Sequence, residues 1–194
     1  VYAYNHKADP TWANFRPDHS NANNKFVSYT EGIYYGYRWY ETAFADGAKL
    51  RANGYDLDFS SEEGYRKIVQ YPFGHGLSYT KFAYSDLTLN PLGGTDCEVS
   101  FTVTNVGDRD GDEVVQVYIN DPESSVVTPE KLLRKFQRLT LAPEESRRVT
   151  FTLGFDDLKL LGLDWQWKVE PGEFRVMVGA SSADIRLEGS FEVE

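Results

Sequence analysis

The chain has 194 residues, 41% of them hydrophobic, and a formal net charge of -10. That is the apolar content of an ordinary globular protein, long enough for one large domain or two small ones. So acidic a balance excludes nucleic acid and an anionic membrane surface as natural partners. The single cysteine, Cys97, excludes an intrachain disulfide. It favours a reducing compartment, a bacterial cytoplasm over secretion. No apolar run approaches the ~18 residues of a membrane-spanning helix. No signal-peptide pattern opens the chain, and it begins at Val1 without an initiating Met, as a fragment would.

Residues 1–29 carry little periodicity and two prolines, and read as a loop or irregular surface segment. TEGIYYGYRWYETAF (30–44) is dense in aromatics and reads as a strand entering a helix. DFSSEEGYRKIV (58–69) reads as a helix, with Ser60 and Glu63 at capping-box spacing and Ile68 and Val69 at its buried end, although Gly64 weakens the pattern. These eighty residues do not close a core of their own and look like the tail of a larger α/β domain. YPFGHGLSYT (71–80) is the joint where the grammar changes. Gly74 and Gly76 permit a turn, Pro72 stiffens its entry, and Phe73, Leu77 and Tyr79 are expected to pin it between two domains.

From residue 81 onward apolar and polar residues alternate. Cys97, Val99, Phe101 and Val103 point one way and Glu98, Ser100, Thr102 and Thr104 the other, the pattern of a half-buried strand. EVVQVYIN (113–120) is the next β-rich run, and LLRKFQRLTL (132–141) reads as strand or short helix. Val149, Phe151 and Leu153 alternate again. WQWKV (165–169), GEFRVMVG (172–179) and IRLEGSFEV (185–193) complete the set. About seven short strands at this spacing, broken by turns, predict a β-sandwich of immunoglobulin-like architecture.

Candidate chemistry is sparse. His75, between two glycines, reads either as a general base or ligand-binding group or as a turn histidine bonded to backbone. Glu31 and Arg38 bracket GIYYGY, as a glycosidase acid with its partner or as an ion pair that fixes the local backbone. Asp108, Asp110, Asp112 and Glu113 resemble a calcium loop, but the glycines are misplaced for one and a solvated hairpin turn is expected. His6 and His19 stand apart from each other and from His75, so no metal site is expected. Phosphate-loop, dinucleotide and serine-hydrolase motifs are absent, and no cofactor is expected. Trp165 and Trp167 would share one strand face, as core residues or as a sugar-stacking platform.

Five blocks carry a resemblance: YTEGIYYGYRWYE (29–41), QYPFGHGLSYTKF (70–82), VSFTVTNVGDRDGDEVVQVYI (99–119), LRKFQRLTLAPEESRRVTFTL (133–153) and PGEFRVMVGASSADIRLEGSFEV (171–193). In order, they are similar to the C-terminal part of family 3 glycoside hydrolases, chiefly β-glucosidases. The resemblance implies a mainly β fold: a fibronectin type III-like β-sandwich over 81–194, preceded by an incomplete α/β segment. Residues 1–80 would then be the end of an α/β/α sandwich domain, with the junction at 70–80.

It further implies retaining hydrolysis of terminal β-linked sugars by two carboxylates, a barrel Asp and an earlier acid/base, neither of whose motifs lies in this chain. The chain is therefore expected to be a non-catalytic part, with no catalytic residue of its own; Trp165, Trp167 and His75 are the substrate-binding candidates. A carbohydrate-binding or protein-interaction module without hydrolase activity is the alternative. The implied partners are the barrel and the rest of the α/β/α domain, a glycan through the whole enzyme, and a second copy in a homo-oligomer. One departure from the shorter family pattern stands out. DGAKLRANGYDLDFSSEEGYRKIV (46–69) is inserted between YETAF and QYPFG, as in some bacterial members, in some of which the barrel follows the fibronectin-like domain. The insertion is expected either to edge the substrate entrance or to pack against the barrel.

Overall fold

The computed structural model describes residues 2–3, 32–52 and 54–194. They fall into two compact units, Val1–Phe73 and Gly74–Glu194, divided inside the YPFGHGLSYT stretch.

In the first unit, strand β1 (Tyr2–Ala3) pairs with β4 (Val69–Tyr71), and helix α1 covers Tyr37–Ala45. Residues 32–36, expected as strand, are turn and coil, and Gly36 enters α1 at φ 58. α1 ends in a Schellman motif. Gly47 takes φ 60, its N–H bonds Phe44 O (3.0 Å), and the Ala48 N–H bonds Ala43 O (2.9 Å). A hairpin of β2 (Lys49–Ala52) and β3 (Tyr55–Asp58) follows, then helix α2 (Glu62–Ile68). The cap of α2 is Ser61, not Ser60: Ser61 Oγ accepts from Gly64 N–H at 3.1 Å, while Ser60 bonds Asp58. Gly64 is a packing requirement rather than a defect, since a Cβ there would lie 2.0 Å from the Asp58 carbonyl oxygen.

The core of this unit is small and aromatic. Tyr40 and Ala43 of α1 meet Leu57, Phe59, Tyr65, Ile68 and Val69, with Trp39 and Phe44 packed against them. Phe59 is fully buried, and Trp39 meets it edge-on at 5.5 Å. Among the described residues, five of the seven buried in this core come from the 46–69 insertion. The insertion supplies most of what α1 packs on among the described residues.

The second unit is a β-sandwich. One sheet runs β5 (Phe82–Gly93), β6 (Asp96–Asn105), β9 (Ser146–Leu153); the other runs β13 (Asp184–Val193), β12 (Gly172–Ser181), β7 (Gly111–Asn120), β8 (Leu132–Leu141). Val99, Phe101 and Val103 of β6 face Val115, Val117 and Ile119 of β7 and Phe174, Val176 and Val178 of β12, nearly all inaccessible to solvent. Burying such a side chain contributes about 1.5–3 kcal/mol. A short helix α3 (Phe155–Leu158) and a hairpin of β10 (Leu160–Leu161) and β11 (Trp167–Lys168) lie between β9 and β12.

Two expectations are corrected here. The sandwich has seven strands, but one of them is β5, which the alternation did not reveal, and 165–169 is not among them. An extra residue in β5 breaks its pairing with β6 between Ser85 and Thr88, with Asp86 at φ 56. That bulge shifts the phase, so Phe82 and Tyr84 before it and Leu87 and Leu89 after it all reach the core. Arg148 of β9 braces the bulge, donating to Asp86 O (2.9 Å), Thr88 Oγ1 (3.1 Å) and Ser100 Oγ (2.6 Å).

The acidic stretch 106–110 is likewise no hairpin turn. It carries the chain from β6 in one sheet to β7 in the other. Asn105, fully buried, fixes this crossing. Its Nδ2 donates to Arg109 O (2.8 Å) and Leu141 O (2.9 Å), and its Oδ1 accepts from Thr80 Oγ1 (2.7 Å) and Gly107 N–H (3.0 Å).

The two cores differ greatly in size, so their local stabilities should differ. Amide hydrogen exchange is expected to be faster in α1 and the β2–β3 hairpin than in β6, β7 and β12. Equally slow exchange in both units would contradict this.

Candidate functional site

The His75 segment is held by the sandwich. Gln116, 3% exposed, donates through Nε2 to Gly74 O (3.1 Å) and Ala180 O (2.6 Å), and its Oε1 accepts from Tyr118 Oη (2.6 Å). Gly74 has φ 78, and a Cβ on it would lie 2.0 Å from Gln116 Oε1, so glycine is demanded twice over. Gly76 faces no such demand: it has no positive φ and open space around it.

His75 is exposed and lies near the carboxylate of Asp184. Asp184 binds Arg186 through both oxygens, and Arg186 also donates to Phe82 O (2.6 Å) and lies 5.2 Å from the Tyr84 ring. Arg186 holds the Asp184 carboxyl below its ordinary range, whereas burial pushes the Glu113 carboxyl and the Tyr84 phenol up. This is an ion network at one end of the sandwich. Leu77 and Tyr79 are 93% and 92% exposed. Phe73 does pack, stacking on Tyr37 within the first unit at 4.2 Å.

Glu31, His6 and His19 lie outside the described residues. Arg38 sits on α1 with its guanidinium 4.6 Å from the Tyr35 ring. Sequence reasoning passed over Glu41, which is buried on α1 and accepts from Tyr65 Oη at 2.6 Å. The only signal for it was a carboxylate inside an aromatic run.

In the acidic stretch, Asp108 pairs with Arg109 and Asp112 accepts from Arg138 and Thr140. Among the described residues no three His, Cys, Asp or Glu side chains are grouped to hold a metal ion.

An open cleft of about 760 Å³ lies over the Asn105 crossing, lined by Tyr79, Lys81, Val106, Asp108, Pro143 and Glu144 among others. Both its carboxylates are exposed, and the Arg109 hydrogen bond holds Asp108 low. A glycosidase acid needs the opposite, a desolvated carboxyl with its proton held on.

Trp165 and Trp167 are neither core residues nor neighbours on one strand face. Trp167 is on β11, but Trp165 occupies the hairpin turn at φ 61. They are 58% and 80% exposed, respectively. The turn is tight: Gly162 N–H bonds Gln166 O, Trp165 N–H bonds Gly162 O (both 3.0 Å), and Asp164 Oδ1 accepts from Gln166 N–H (3.2 Å). Lys159 spans Phe155 and Trp167, its Nζ 5.8 Å and 5.2 Å from the two rings, and pairs with Asp156 at 2.6 Å. The strand leaving the hairpin is pinned by Glu170. Its carboxylate accepts from Ser125 N–H (2.8 Å) and Ser125 Oγ (2.6 Å) and lies 3.1 Å from Lys168 Nζ.

Residues 113–182 match the fibronectin type III-like domain family. Thermostable β-glucosidase B of Acetivibrio thermocellus is 37% identical over 95% of this chain and 22% of its own length. A β-xylosidase of Formosa agariphila is 49% identical over 60% of this chain and 16% of its own length. Among solved structures, β-glucosidase 3B of Thermotoga neapolitana, in complex with glucose, aligns at TM-score 0.74 with 36% identity, covering 95% of this chain and 22% of that one. A GH3 β-glucosidase of Bifidobacterium adolescentis aligns at TM-score 0.72 with 33% identity, over 91% of this chain and 23% of that one. The chain thus spans about a fifth of the length of these relatives.

Ser125 and Lys168 hold the Glu170 carboxyl down to about 2. A carboxyl depressed in the folded state stabilises it fully above the unfolded pKa, about 4.3, and loses that contribution as pH falls towards about 2. Glu170→Gln is therefore expected to flatten the fall in thermal midpoint between those pH values. An unchanged acid limb would refute this role for Glu170.

Proposed function

The chain belongs to glycoside hydrolase family 3, as a C-terminal segment that carries the fibronectin type III-like domain, and we propose that the whole enzyme removes terminal β-linked sugars with retention of configuration. In such a reaction one carboxylate attacks the anomeric carbon, while a second carboxyl protonates the leaving oxygen and later activates water. This segment supplies neither group. Its part is to buttress the catalytic domains, with the stretch at 70–80 as the junction. Gln116 at Gly74 and Asn105 at Thr80 tie that stretch to the sandwich.

The observation that carries this reading is the alignment over 95% of the chain with a β-glucosidase of which it covers only 22%. The rest of such an enzyme holds the chemistry. Both β-glucosidases and a β-xylosidase are among the relatives, so glucose and xylose are the two sugars to compare. The exposed indoles of Trp165 and Trp167 favour a second role beside this one, in holding glycan.

The isolated chain and the whole enzyme should be assayed on nitrophenyl β-glucoside and β-xyloside. The chain alone is expected to release no nitrophenol. The whole enzyme is expected to hydrolyse one of the two and to release the β-anomer first. Turnover by the isolated chain, or first release of the α-anomer, would overturn the reading.

A further inference from the structure

We infer that the β10–β11 hairpin is a glycan-stacking site, with the exposed Trp165 and Trp167 indoles as its two separate stacking rings and a neutral β-linked oligosaccharide as its ligand. The choice of glycan rests on the function proposed above; the site itself rests on the geometry of the hairpin.

Three observations converge. First, both indoles are exposed in this chain, by 80% and 58%, on a hairpin whose backbone is closed by its own hydrogen bonds. Burial in this chain does not explain them. Second, Trp165 is kept in the left-handed region at φ 61, where a bulky side chain is disfavoured and Asn or Gly would be expected. The turn thus carries strain while its large ring gains no packing. Strain of this kind gathers where a side chain must be aimed.

Third, charged and amide groups interleave with the rings. Lys159 lies 5.2 Å from the Trp167 ring and is paired with Asp156. Asp164 and Gln166 are exposed beside Trp165. The centre of a protein interface is depleted in Lys and Asp. A sugar ring, by contrast, presents a C–H face to an indole and hydroxyls at its edge to carboxylates, amides and ammonium groups. Aromatic faces backed by such polar groups fit a pyranose better than an apolar protein surface.

The test is titration of the full chain with cellohexaose and xylohexaose, followed by the indole N–H resonances in a two-dimensional NMR spectrum. Saturable shifts of the Trp165 and Trp167 signals are expected, with affinity falling about ten-fold in Trp167→Ala. Trp165→Asn is expected to abolish the Trp165 contact while unfolding at no lower temperature than the parent, because Asn adopts the left-handed region readily. Two results would overturn the inference. One is indole resonances that stay still with both sugars. The other is concentration-dependent self-association, measured by sedimentation, that Trp165→Asn removes. Hydrolysis by the whole enzyme tests the proposed function separately, so silence in the titration beside active enzyme would remove only the hairpin site.

Discussion

One buried carboxamide, that of Asn105, holds the loop end of the sandwich together. An Asn side chain has two N–H donors and an oxygen with two lone pairs, and here all four are used. Two partners, at 107 and 109, lie in the crossing itself, and two, at 80 and 141, lie 25 and 36 residues away. Its backbone adds two further bonds, to Glu145 O (3.0 Å) and from Glu144 N–H (2.9 Å). The chain must cross between sheets at this point, where ladder hydrogen bonds cannot continue. Gly107 and Gly111 let the crossing press onto Thr80, since a Cβ on either would lie within 2.4 Å of that side chain. Thr80, near the start of the second unit, is thereby built into the sandwich.

Much of the sandwich was legible because its inner strands alternate without interruption. Val99, Phe101 and Val103 could be assigned to the core from their spacing, and they are there. β5 was hidden by its bulge, which puts two alternating runs out of phase; pattern reading assumes a constant period. WQWKV suggested a strand for the opposite reason: its alternation is real, but it straddles a turn, and nothing in the pattern marks Trp165 as left-handed. The helix at 62–68 was anticipated, though its cap was placed one residue early. Two adjacent serines offer two registers, and only the Asp58 side chain, which takes Ser60, decides between them.

The site was less legible than the fold. His75 drew attention because of its glycines, yet only Gly74 is required, by Gln116 from a strand some forty residues on. Such a dependence has no local signature. The 46–69 insertion was expected at a substrate entrance or against a barrel, and beyond that expectation its aromatic and aliphatic residues supply most of the described core of the first unit. Composition alone cannot distinguish a loop that borders a site from one that completes a core. The family, by contrast, was carried by long ordered blocks whose spacing depends on the fold, and the comparisons agree with it.

If Asn105 is the constraint on which the loop end depends, removing its carboxamide must cost far more than an ordinary surface substitution. The direct measurement is urea unfolding of the chain with Asn105→Ala beside the parent. A loss of about 3 kcal/mol is expected, because the Leu141 and Arg109 carbonyls and the Gly107 N–H lose their partner together. A loss below about 0.5 kcal/mol, the scale of a neutral surface change, would contradict the account.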